Sequence, residues 1–215
     1  MSCASNLFPG FDRLYWLAEG EGGSMYRGTL DVDDPMPLLL GERVPREPLV
    51  VTRAMGNAKC ADVIWSTWSG VCFVSARLVK LLQLEKFTGW QTYPVQVIGE
   101  GGQCVADYFG LSVTGRCGPL QNERSHRIQK PRPVGPTRPV PGNPFEIPSD
   151  EVAKQPTLRY LVGWYFFEES WDGSDFFVPK QTSAIIVTER VKQAFQRSAV
   201  GNVRFDRLDQ IEELA

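Results

Sequence analysis

The chain writes one pattern twice. Cys72-Phe73-Val74-Ser75-Ala76-Arg77-Leu78 is echoed by Ile185-Ile186-Val187-Thr188-Glu189-Arg190-Val191. In each copy a short β-branched or aromatic run ends at Ser75 or Thr188, whose hydroxyl can satisfy free N–H groups at the start of a helix. Leu78, Leu81, Leu82 and Glu85 then fall at i, i+3, i+4 and i+7, and Val191, Ala194 and Phe195 follow the same spacing, which predicts two short amphipathic helices. Each helix stops near a glycine, Gly89 or Gly201, and enters a strand-like run, Trp90 to Ile98 or Asn202 to Phe205. An arginine, Arg77 or Arg190, stands at the same place past each cap. Two copies are too few for a solenoid. Convergence on a common capped-helix device is the plain alternative to a repeat.

Further strands are expected at Leu14 to Leu17, Leu49 to Arg53, Val105 to Val113 and Leu158 to Phe167, where aromatic and β-branched residues lie between turn formers. Strands outnumber helices and do not alternate with them. The expected fold class is therefore α+β, with a mainly antiparallel or mixed sheet and two short helices in a repeated strand-helix-strand unit. Seven of the sixteen prolines lie between Pro131 and Pro148. Such a stretch cannot enter a sheet interior and reads as an extended loop or linker. It divides the chain into an N-terminal part at 1–130, the proline-rich segment at 131–148 and a C-terminal part at 149–215, or else loops out of one continuous domain.

A chain of 215 residues is long enough to bury a core without a cofactor, and none is expected. The formal charge of -2 points to neither a nucleic-acid binder nor a strongly acidic tail protein. Met1 to Phe11 lacks the basic start and apolar run of a secretory signal. The apolar stretch Leu161 to Phe167 is too short to span a bilayer as a helix. Cys3, Cys60, Cys72, Cys104 and Cys117 are odd in number and contain no C-x-x-C pair, which argues against a disulfide framework or zinc site and for reduced thiols in a cytoplasm. Cys72, in an apolar run, reads as core.

Catalytic signatures are absent. Gly20-Glu21-Gly22-Gly23 and Gly99-Glu100-Gly101-Gly102 place glutamates where phosphate would sit, so they read as turns. The lone histidine, His126, would have to be the base of any triad, but it sits in the polar run Arg124 to Lys130 and reads as solvated. Asp31-Val32-Asp33-Asp34 lacks calcium-loop spacing. Arg116, Arg124, Arg127, Lys130, Arg132 and Arg138 form a basic strip without interleaved aromatics for base stacking, so a nucleic-acid partner is not expected. No enzymatic activity and no metal are expected.

One run suits recognition. Glu168, Glu169, Trp171, Asp172 and Asp175 lie between Trp164-Tyr165-Phe166-Phe167 and Phe176-Phe177. Aromatic anchors beside clustered carboxylates favour a desolvated, steered protein contact, whereas a core strand followed by a polar hairpin loop is the plain structural alternative.

The segments Val74 to Leu82 with Gly89-Trp90-Gln91-Thr92-Tyr93-Pro94-Val95, and Val187 to Val191 with Gly201-Asn202-Val203-Arg204-Phe205, resemble the immunity protein 11 family of bacterial polymorphic toxin systems, known especially from myxobacteria. The resemblance spans Val63 to Val113 and Leu158 to Phe205. The chain departs from it at Asn202, where the family's glycine directly precedes the apolar residue. What the resemblance implies is a cytoplasmic protein that binds a cognate toxin and blocks it without chemistry of its own; the five residues above are then the first candidate contacts, on the grounds of their chemistry alone. A general interaction module using its sheet or its proline-rich loop is the competing expectation.

Overall fold

The computed structural model describes residues 8–20, 25–105, 107–131 and 157–214. The proline-rich stretch from Arg132 to Pro148 lies outside them. The architecture is α+β and mostly sheet. In chain order it runs β1 (Leu14–Glu19), β2 (Arg27–Leu30), α1 (Met36–Leu39), β3 (Leu49–Met55), β4 (Val63–Trp65), β5 (Cys72–Ser75), α2 (Ala76–Leu84) and β6 (Trp90–Ile98). It continues through β7 (Cys104–Val105), β8 (Tyr108–Val113), β9 (Gly115–Pro119), β10 (His126–Pro131), β11 (Thr157–Val162), β12 (Phe176–Lys180), β13 (Ile186–Thr188), α3 (Glu189–Arg197), β14 (Val203–Arg207) and β15 (Glu212–Leu214).

One sheet has the order β2-β3-β6-β8-β5-β4, with β7 beside β6. A parallel bridge from Gly28 to Ser66, just past β4, brings its two ends together. A second sheet has the order β14-β1-β13-β12-β9, and β10-β11-β15 form a third. Pairing is mixed: β3–β6 and β9–β12 are parallel, and the other strand pairs are antiparallel. The N-terminal strand β1 lies between β13 and β14, and β9 joins β12, so segments before and after the proline-rich stretch share one sheet.

Both expected helices form; the second buries all three of its assigned apolar positions, and the first buries two and leaves Leu81 half-buried. Leu78 and Leu82 of α2, and Val191, Ala194 and Phe195 of α3, are buried. Ser75 caps α2 by accepting the Leu78 N–H at 3.2 Å. Thr188 does not cap α3; its hydroxyl instead donates to Asp175 Oδ1 at 2.9 Å, a stronger partner than an amide because the acceptor is charged. The expected strand Leu158 to Phe167 ends at Val162, since Gly163 turns the chain at φ 92°. Val105 to Val113 is likewise broken, at Asp107 with φ 66°.

Two buried or half-buried carboxylates fasten the helices to their surroundings. Asp62 accepts Ser75 Oγ at 2.9 Å, the Arg77 guanidinium and the Gly201 N–H at 3.1 Å, while Arg77 also donates to Ser198 O at 3.0 Å. Asp175 accepts Thr188 Oγ1, Arg190 Nη1 at 3.0 Å and the Thr88 N–H at 3.1 Å, while Arg190 also donates to Glu85 O at 3.2 Å. Each cluster thus ties the start of one helix to the residues that follow the other.

Candidate functional site

Among the described residues a groove of about 1340 Å³ opens on the surface. Its floor and walls come from distant parts of the chain: Trp16 on β1, Met25 and Arg27 at β2, Met36 on α1, Met55 at the end of β3, Trp65 at the end of β4, and Trp164. The 66–70 turn adds Trp68. The strand β9 adds Arg116, and β12 with its turn adds Val178 to Ala184. Three of the four methionines and four of the six tryptophans therefore line one surface.

Local chemistry explains how these side chains are held. Trp65 is buried and donates its indole N–H to Asn202 O at 2.8 Å, which leaves its ring as floor. Trp16 and Trp164 pack at 5.3 Å between ring centroids, and the Trp164 indole donates to Glu213 at 3.2 Å. Trp68 is 42 % exposed and Met55 is 52 % exposed. The two turns that end the groove touch: Ser183 Oγ donates to Ser69 Oγ at 2.8 Å, and a Cβ on Gly70 would lie 1.9 Å from Ser183 O, so the contact requires glycine. Charge lies along the rim. Arg27 pairs with Glu19 at 3.0 Å, Arg116 donates to the carbonyls of Leu40, Val113 and Gly115, and Lys180 is exposed.

The acidic and aromatic run is not one surface. Glu168 and Glu169 are exposed on a short turn, and Glu168 and Trp171 line a second hollow of about 800 Å³ beside Tyr15 and Glu189. Trp171 is half-buried against Phe177 at 5.1 Å. Asp172 is exposed, yet its carboxylate accepts the Arg116 N–H at 2.8 Å and the Ser174 N–H at 3.0 Å. Asp175 is 5 % exposed, and its carboxylate is taken up by the cluster described above. In the second hollow the Tyr15 hydroxyl donates to Glu189 Oε2, and Lys192 Nζ sits 3.9 Å from the Tyr15 ring centroid. Burial, then the bond to Glu189, raises the Tyr15 hydroxyl above its usual pKa.

The remaining sequence candidates fall elsewhere. His126 opens β10, opposite Val162. Cys72 is wholly buried, and burial pushes its thiol up to about 12; burial followed by the charge of Asp172 does the same to Cys117. Thiols held that high carry little thiolate at neutral pH. Among the described residues no group of three or more His, Cys, Asp or Glu side chains could hold a metal ion. No helix among the described residues is long and apolar enough to cross a membrane. Comparison with protein-family models and with curated proteins found no match.

The groove carries no linear signature. Its tryptophans and methionines are single residues spread from Trp16 to Trp164, and only the strand order gathers them.

Proposed function

We propose that the chain is a non-catalytic partner-binding protein of the immunity type, which blocks a cognate bacterial toxin in the cytoplasm by holding a part of it in the tryptophan- and methionine-lined groove. The concentration of these two residue types on one open surface carries this reading. Tryptophan supplies rigid, hot-spot contact area, and methionine adapts its shape to a partner. A volume of about 1340 Å³ exceeds what ordinary small-ligand pockets offer, roughly 300–1000 Å³, and suits a polypeptide segment. The test is co-expression with the product of the adjacent gene. Survival of the cells together with a stoichiometric complex on size-exclusion chromatography is expected. A folded, toxic neighbour that forms no complex and is not neutralised removes the reading. Deleting Arg132 to Pro144 separates the competing module: a scaffold acting through its proline-rich loop loses its partner, whereas groove binding survives.

The echo noticed in the sequence belongs, on our reading, to a duplicated unit. From Asp62 to Asp175, Ser75 to Thr188 and Arg77 to Arg190 the interval along the chain is the same, and in both clusters the carboxylate precedes the hydroxyl by 13 residues and the arginine by 15. The same interval relates Lys86 to Ala199, with φ of 53° and 48°, and Gly89 to Asn202, with φ of 81° and 65°. It also relates Ser198 to Glu85 and Gly201 to Thr88, the backbone groups that each cluster holds in the other half. Strand pairing agrees: β8 runs antiparallel between β5 and β6, and β1 runs antiparallel between β13 and β14. Each copy would then lend its first strand to the other. Interstrand NOEs from β1 to both β13 and β14, and from β8 to both β5 and β6, are expected; NOEs that put β1 at a sheet edge remove the equivalence.

A further inference from the structure

The two turns that meet in the groove stand at the same chain interval as the paired carboxylate clusters, yet they carry different side chains. Trp65 corresponds to Val178, Thr67 to Lys180 and Trp68 to Gln181. The backbone partners correspond too. Gly28 bridges Ser66 in parallel, Cys117 pairs in parallel with Pro179, and the residues before them, Arg27 and Arg116, both line the groove. The match ends inside the turns: Gln181 holds φ 66° and Gly70 holds φ 75°, whereas their counterparts Trp68 and Ser183 are not in the left-handed region. Trp68 is held by its backbone, whose N–H donates to Ser66 Oγ and whose carbonyl accepts from Val71, while the residue remains 42 % exposed in the groove.

Charge is distributed as unevenly as the aromatic rings. Arg27 is neutralised by Glu19, and Glu213 is engaged by the Trp164 indole. Among the described residues Lys180 has no ion pair and the Arg116 guanidinium meets only carbonyl oxygens. One carboxylate of the lining, Glu42, is exposed on the loop after α1. The turn that carries Trp68 is therefore an aromatic wall, and the turn that carries Lys180 is a cationic one.

We infer that the groove takes an extended segment of a partner protein that sets an apolar or aromatic side chain against Trp68 and a carboxylate against Lys180. Burying an exposed indole supplies the affinity, and the uncompensated cation supplies orientation and association rate. This rests on the partner-binding reading above and deepens it by naming the occupant.

The experiment titrates the product of the adjacent gene against the intact chain and against Trp68→Ala and Lys180→Glu, by surface plasmon resonance at low and high salt. Both sites are exposed, and circular dichroism checks that both variants remain folded. Trp68→Ala is expected to weaken binding about tenfold or more, chiefly through faster dissociation. Lys180→Glu is expected to slow association several-fold at low salt, with the difference shrinking as salt rises. If the intact chain binds and both folded variants bind as it does, the groove is not the contact and the partner-binding reading stands without it. If Trp68→Ala alone weakens binding, the acidic part of the occupant is overturned. If the intact chain itself forms no complex, the functional reading fails and takes this inference with it.

Discussion

Asp175→Ala is expected to destabilise the chain by about 3 kcal/mol, read as a lower denaturant midpoint at unchanged slope. The carboxylate is buried, and its removal leaves the Thr88 N–H and the Thr188 hydroxyl without their acceptor. Arg190, 61 % exposed at its side chain, can turn to water, so its freed charge adds less to the cost than a buried cation would. Unchanged stability would show that the cluster is decorative. At Asp62 the same arrangement has a pH signature. Burial opposes ionisation of Asp62, but hydrogen bonds from Arg77, the Gly201 amide and Ser75 outweigh it and hold the carboxyl below the usual aspartate range. A carboxyl depressed on folding contributes stability that is fully present above its unfolded pKa, about 3.9, and is lost as pH falls through the folded value. Asp62→Asn is accordingly less stable at neutral pH, and its stability falls less steeply in that acid window.

The paired clusters also mark how far the sequence can be read. The echo of Ser75 and Arg77 in Thr188 and Arg190 was visible because those residues sit in a local strand-to-helix pattern, and β6 follows the expected span Trp90–Ile98. Asp62 and Asp175 were not legible in that role, since each lies 13 residues before the hydroxyl it binds and in no periodic segment. Asp175 looked like a surface acid because Glu168, Glu169 and Asp172 surround it in the chain, yet it begins the approach to β12 and turns inward. The run Trp164 to Phe167 divides in the same way: Tyr165 and Phe166 are core, whereas Phe167 is 47 % exposed beneath the Arg124 guanidinium. Local pattern reveals helix faces and caps. It does not reveal which strand a distant segment will join, and the position of β1 between β13 and β14 is what turns dispersed tryptophans into a groove.

Gly89→Ala is expected to cost on the order of 3 kcal/mol or more and to lower the melting temperature by roughly 10 °C. Two causes act together. At φ 81° the backbone is in the left-handed region, where a Cβ costs about 1 kcal/mol or more. That Cβ would also lie 2.0 Å from Phe176 O, a backbone atom that cannot rotate aside. The Gly89 carbonyl accepts the N–H groups of Thr114 and Gly115, so movement at this point pulls on the junction of β8 and β9. Asn202, at the same interval as the other paired residues, offers the internal control. It holds φ 65° with a side chain present, because asparagine tolerates this region and its amide donates to Val63 O at 2.9 Å. Asn202→Gly removes one hydrogen bond and relieves backbone strain, so it is expected to change stability by about 1 kcal/mol or less. Thermal melts of the two variants side by side decide the matter: a large loss for Gly89→Ala beside a small change for Asn202→Gly locates the tight packing at the α2–β6 turn, and a loss of only about 1 kcal/mol for Gly89→Ala would mean that backbone conformation, and not the closeness of Phe176, governs that turn.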